Sequence, residues 1–127
     1  MYLDASALVK LVVPESQSAA LAAYVERRSP LSSCALARVE VVRAVSPHGE
    51  EEPVRTAREL LDEIDLIQLD DELLDLAAEL QGPLRSLDAI HLAAALELGD
   101  ALEAVVTYDG QMTRAAEVLG LTVVAPV

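Results

Sequence analysis

The fold is read most directly from Arg85-Ser86-Leu87-Asp88-Ala89-Ile90-His91-Leu92-Ala93-Ala94-Ala95-Leu96. From Leu87 to Leu96 only Asp88 and His91 are not plainly apolar. That pattern predicts a helix buried on most sides. Ser86 is a good N-cap and puts Asp88 in the first turn, where free backbone N–H groups and the helix dipole favour a negative charge. Complementing that dipole is the ordinary role of an Asp in this place. An acid at the start of a buried helix is nevertheless costly to desolvate unless something positive compensates it. A helix this apolar must also pack on a sheet.

Upstream, Tyr2-Leu3 reads as a very short strand ending at Asp4, with Ala5 at the turn and a helix over Ser6–Val12 closed by Pro14. Ser16 caps a second helix running to about Arg28, and Ser29-Pro30 breaks it. Leu31-Ser32-Ser33 is a second short strand. Ala35 to Val45 is a third helix that carries Glu40 among apolar neighbours, and Glu50-Glu51-Glu52-Pro53 reads as a solvated loop before a helix over Val54–Glu63. Ile64 to Leu69 alternates in part, as a strand does, and Asp70 caps a helix through Leu80. Downstream of the central helix, Ala104–Tyr108 is the clearest strand, ended by Asp109. A helix over Met112–Leu119 closed by Gly120 and a last strand over Leu121–Ala125 follow. Strands alternating with helices imply one α/β domain over residues 1–127 with a mostly parallel sheet.

Composition narrows the function. The 127 residues are 53% hydrophobic but include no Trp, no Phe and only three Tyr, so Ala, Leu and Val fill the core and few rings are left for stacking on bases. A net charge of −13 excludes a broad basic face for nucleic acid, though not local contact through arginines or through cations held by acids. Cys34, the single cysteine, permits no intramolecular disulfide and no cysteine-built zinc site. No apolar run is long enough to cross a bilayer, which leads to the expectation of a cytoplasmic protein.

In open parallel sheets ligands bind beyond the C-terminal ends of the strands. Asp4 and Asp109 each directly follow a strand, Asp88 opens a helix that packs on the same sheet, and Glu40 lies mid-helix among apolar residues. Carboxylates gathered this way repel one another, a cost that a hard divalent cation reverses. Magnesium or manganese held by such oxygens suits phosphodiester hydrolysis. Each residue also has a plainer reading. Glu40 has Arg43 one turn on and would form a surface ion pair. His91, one turn after Asp88, reads as a hydrogen-bonded structural histidine rather than a general base. Lys10, Arg85 and Arg114 lie near the rim, to touch phosphates or pair with neighbouring acids, whereas Arg55 and Arg58 sit apart.

Four segments, in order, resemble a PIN domain, and within it the VapC-type toxin of bacterial toxin–antitoxin pairs. They are Met1-Tyr2-Leu3-Asp4-Ala5-Ser6-Ala7-Leu8-Val9-Lys10, Glu40 in its helix, Arg85–Ala93, and Val106-Thr107-Tyr108-Asp109. The resemblance spans essentially the whole chain. It implies a three-layer α/β/α sandwich and a Mg2+- or Mn2+-dependent endoribonuclease. Asp4, Glu40, Asp88 and Asp109 would form its acidic quartet, and Ser6 and Thr107 would orient water or carboxylates. It further implies a VapB-type antitoxin, a homodimer, a heterotetramer or larger complex with that antitoxin, and contact with DNA only through it. Two departures stand out: Ala5 where the family often has Thr or Ser, and no further acid in Gly110-Gln111-Met112 after Asp109. A phospho-acceptor receiver domain, also acidic and α/β, is excluded because it needs an acid pair after the first strand and a Lys after the last. Here a lone Asp4 and Ala125-Pro126-Val127 stand in those places. The remaining alternative is a PIN-like binding module that has lost catalysis.

Overall fold

A computed structural model describes all residues, Met1 to Val127. Five strands, β1 (Tyr2–Leu3), β2 (Ser32–Cys34), β3 (Asp65–Ile67), β4 (Val105–Val106) and β5 (Val123–Val124), pair in the order β3-β2-β1-β4-β5. Every pairing is parallel, so the sheet is parallel throughout rather than mostly so. The strands are shorter than their sequence patterns: β4, for instance, takes only two residues of Ala104–Tyr108.

Alternation along these short strands builds two cores. Leu3 and Val106 point to one face, where they join Leu8, Leu21, Val41 and Leu61. Those residues come from α1 (Ala5–Val12), α2 (Ser18–Glu26), α3 (Ala37–Val45) and α4 (Glu51–Glu63). Tyr2, Cys34 and Val105 point to the other face, against Leu73 and Ala77 of α5 (Asp71–Glu79) and Ala93–Ala95 of α6 (Ser86–Glu97). Leu92 continues this layer onto Met112 and Ala116 of α7 (Gly110–Val118). Successive side chains of a strand face opposite ways, so each two-residue strand feeds both cores. The result is an α/β/α sandwich.

Helix boundaries correct several sequence readings. α1 begins at Ala5 rather than Ser6, and Asp4 caps it. Gln17 occupies the N-cap of α2 without a side-chain bond, so Ser16 does not cap it. The acidic run is not a loop: α4 starts at Glu51, and Pro53 falls in its first turn, where a missing N–H has no intrahelical partner to lose. Ser86 is the first helical residue of α6 rather than its cap; Arg85 holds that place with extended backbone and no side-chain bond. The expectation for α5 holds, with the Asp70 side chain accepting from Leu73 N–H. Gly120 also closes α7 as read, at φ 78 with Leu121 N–H on Ala116 C=O and Gly120 N–H on Glu117 C=O, a Schellman ending.

From β1 the chain runs outward to β2 and β3, then crosses back to place β4 on the other side of β1. The order therefore reverses between β1 and β4, and the crevice beyond their C-terminal ends is the favoured ligand position of such sheets. Asp4 and the Thr107–Asp109 segment leave the sheet there.

Candidate active site

One cleft is lined by Asp4, Glu40, Asp88 and Asp109 together, with Ser6, Arg85 and His91 among its other walls. The residues come from four separate segments, brought together by the reversal in strand order.

Asp4 is the buried member, 5% exposed. Its Oδ1 accepts from Ala7 N–H at 3.1 Å and from the Ser6 hydroxyl at 2.6 Å, and its Oδ2 accepts from the Thr107 hydroxyl. Burial pushes its carboxyl above the ordinary range, and these three donors only partly oppose that. Thr107 Oγ1 in turn accepts from Asp109 N–H at 3.1 Å, and Ser6 Oγ accepts from Tyr108 N–H at 3.0 Å. The two hydroxyls thus stitch the end of β4 to the start of α1, and both sequence-expected supporting residues sit where they touch Asp4 or its neighbours.

Asp109 caps α7: its Oδ1 accepts from Met112 N–H at 2.9 Å. Its Oδ2 accepts from Arg85 at 2.8 Å, while the same guanidinium donates through Nε to Asp88 Oδ2 at 2.7 Å. The Met112 amide and then Arg85 hold the Asp109 carboxyl below its usual range. Asp88 makes no capping bond; its first-turn position serves the Arg85 pair instead. It lies near the surface of the cleft, its side chain 16% exposed, so the costly desolvation expected of it falls on Asp4.

Glu40 does not pair with Arg43. Its Oε1 accepts from His91 Nε2 at 2.6 Å. His91 is buried, its Nδ1 hydrogen-bonded to the Tyr2 hydroxyl at 2.8 Å and facing Cys34 Sγ at 3.7 Å. Burial pulls the ring's pKa down, but hydrogen bonds to Cys34 and Glu40 outweigh it and raise the ring to about 10. With both nitrogens engaged, His91 is no general base, as the sequence reading held. Sequence reasoning missed its link to Glu40, which lies 51 positions away. The pairing of Arg85 with neighbouring acids, which the sequence left open beside contact with phosphate, is what the structure shows, and one guanidinium serves both Asp88 and Asp109.

The donor set is hard oxygen throughout, matched to magnesium or manganese rather than to softer metals. As the side chains lie, no three acid, imidazole or thiol groups stand close enough to hold an ion. Arg85 lies between two of the four acids and supplies positive charge there. The residues fit a divalent cation on their chemistry, with Asp4 the acid that accepts no hydrogen bond from a cationic side chain or imidazole. Lys10, expected at the rim, is turned to Glu15 at 2.9 Å.

A family model described as "PIN domain" matches residues 1–118. The chain therefore belongs to the PIN-domain family. Ribonuclease VapC46 of Mycobacterium tuberculosis is 48% identical over 127 residues, spanning 99% of this chain and 97% of that protein. Ribonuclease VapC35 of the same species is 43% identical over 134 residues, spanning 99% and 96%. These relatives make the chain a VapC-type member. The crystal structure of Mycobacterium tuberculosis VapC20, a Sarcin-Ricin loop cleaving toxin, superposes with a TM-score of 0.76 over 98% of both chains. At 12% identity that likeness speaks for the fold alone.

Proposed function

We propose that the chain is the toxin of a toxin–antitoxin pair, an endoribonuclease that hydrolyses RNA phosphodiester bonds with Mg2+ or Mn2+. The observation that carries this is the convergence of Asp4, Glu40, Asp88 and Asp109 on one cleft at the switch point of the sheet. The names of the full-length relatives support it. Capping α1 accounts for Asp4 alone; a binding module without catalysis has no comparable use for gathering Glu40, Asp88 and Asp109 onto the same cleft.

Asp4, Glu40, Asp88 and Asp109 would hold the cation. When bound, the ion neutralises charge on the phosphoryl group and acidifies a water. The chain's own parts do the rest. Ser6 and Thr107 fix both Asp4 oxygens. Arg85, 57% exposed at the cleft, is the cation placed to meet a phosphate once it releases Asp88 or Asp109.

A free ribonuclease is harmful, so a VapB-type antitoxin should cover the cleft, and a cationic side chain would suit its acids as Arg85 does. Contact with DNA would come only through that partner. A homodimer is expected through α2–α4, where Val39 of α3 is 57% exposed, assembling further with antitoxin to a heterotetramer or larger. No helix is long and apolar enough to cross a membrane, and cytoplasmic RNA is the proposed target.

Purified protein freed of antitoxin should cut RNA with either ion and stop on addition of EDTA. Cleavage undiminished by EDTA would remove the metal. Expression without effect on growth or RNA would remove the toxin, and a monomer alone in sedimentation would remove the dimer.

A further inference from the structure

Glu40 differs from the other cleft acids in how it is held. Asp4 and Asp109 accept from backbone amides of their own helices, and Asp88 and Asp109 accept from Arg85. Glu40 lies in the first turn of α3 without capping it, a longer side chain with one more torsion to fix, and its single side-chain hydrogen bond is the one from His91. A carboxylate only accepts, so His91 Nε2 carries the proton in that bond whatever the state of Nδ1.

The ring behind the bond is immobilised. His91 belongs to α6 and is 2% exposed. Its Nδ1 meets the hydroxyl of Tyr2, a fully buried residue of β1 whose ring it also approaches edge-on at 5.9 Å and 73°. A strut therefore runs from the central strand through α6 to an acid on α3. It lines the same cleft as the rest of the site and reaches it from the core side.

We infer that His91, braced by Tyr2, is a positioning residue for Glu40: it pins Oε1 and leaves Oε2 presented to the cleft. The inference rests on the metal-dependent reading of that cleft. His91 touches neither substrate nor water in this role; it acts through the carboxylate it holds. The arrangement has the form of an outer partner that orients a ligand-bearing group, for which substitution costs roughly 10- to 100-fold in metal affinity or activity.

His91→Phe keeps a ring and removes the donor, His91→Gln returns an N–H near the position of Nε2, and Tyr2→Phe leaves the imidazole but removes its brace. Each variant is followed by thermal melting, by titration with Mn2+ read as a melting shift, and by RNA cleavage resolved into kcat and KM. For His91→Phe, kcat should fall and the Mn2+ midpoint should rise by roughly tenfold or more, with KM for RNA changed far less. His91→Gln should recover most of the loss, and Tyr2→Phe should fall between. His91→Phe combined with Glu40→Gln should lose no more than Glu40→Gln alone, because the two changes remove one function.

A folded His91→Phe protein with the parent's Mn2+ midpoint and kcat overturns the inference, as does a double variant in which the losses multiply. If His91→Phe does not fold, Tyr2→Phe decides: a parental midpoint and kcat overturn the inference, and a shift in both supports it. A parent that binds Mn2+ but cuts no RNA would instead defeat the ribonuclease reading. The Mn2+ midpoint would then still show whether His91 positions Glu40.

Discussion

Asp4→Asn separates a structural acid from a functional one, because Asn keeps every contact but the charge. Asn caps a helix as well as Asp does, so the Ala7 N–H and the Ser6 hydroxyl keep their acceptor. Only Thr107 must turn its hydroxyl, from donating to Oδ2 to accepting from the new amide. Exchanging charge-assisted bonds for neutral ones costs about 1–2 kcal/mol. Against this, burial raises the Asp4 carboxyl, and every unit of such a rise is about 1.4 kcal/mol by which the fold disfavours the charge. The rise is already net of the three hydrogen bonds, so metal-free Asp4→Asn should melt at or above the parent at neutral pH. Asp4→Ala loses the cap and strands two hydroxyls, and should lose about 2–4 kcal/mol. The pH dependence fixes the sign. A raised acid contributes stability that is complete below its ordinary value of 3.8 and is lost as pH rises through its folded value. The advantage of Asn should therefore be absent in acid and open as pH rises, read by melting at about pH 4 and about pH 8. Saturating Mg2+ should reverse the order, adding about 2.7 kcal/mol to the parent at a hundredfold excess over Kd and far less to the variant. RNA cleavage should fall by orders of magnitude. An Asp4→Asn protein that melts as low as Asp4→Ala at every pH, and still cleaves RNA, would reduce Asp4 to a helix cap.

Two other perturbations bear on the same cleft. Thr107→Val keeps the volume but strands Asp109 N–H and removes a donor from Asp4; it should cost about 1–3 kcal/mol in thermal melts, with Thr107→Ser close to the parent. Arg85→Gln frees Asp88 and Asp109 of their guanidinium, so the Mn2+ midpoint of the melting shift should move to lower concentration. An unchanged or higher midpoint would mean that Arg85 does not compete for those oxygens.

What the sequence made legible was whatever local pattern carries. The burial of α6 from Ala89 to Ala95, the Asp70 cap and the Gly120 stop all depend on residues within a turn of one another. The placement of Asp4 directly after β1 was readable too, whereas Asp109 comes three residues after β4 and sits at the start of α7 as its cap. The capping of α6 was not: Arg85, with extended backbone and no side-chain cap bond, precedes the helix, and Ser86 is already helical. Pro53 looked like a breaker because its tolerance depends on which turn it occupies. The partners of Glu40 and of Asp109 lie far off in sequence, at His91 and Arg85, and no spacing rule reaches them.

The four acids also differ in how the fold offsets their charge. Asp88 and Asp109 share one guanidinium, and Glu40 has the imidazole of His91. Asp4 is the most buried of the four, yet its hydrogen bonds come only from neutral groups, two hydroxyls and a backbone amide. Helix N-termini lower the cost of keeping Asp4, Asp88 and Asp109 close, because each begins or caps a helix whose dipole favours it. That effect is worth about 0.3–1 kcal/mol apiece, too little to hold a buried carboxylate in its ordinary range. That residual cost shows at Asp4, whose carboxyl burial has raised. On the metal-dependent reading, a cation entering the cleft gains most at Asp4, where no bond to an existing positive side chain must first be broken. At Asp88 and Asp109 it must displace Arg85. Removing Asp4's charge should therefore weaken Mn2+ binding more than removing that of Asp109, a ranking that the two Asn variants test directly by the same melting titration.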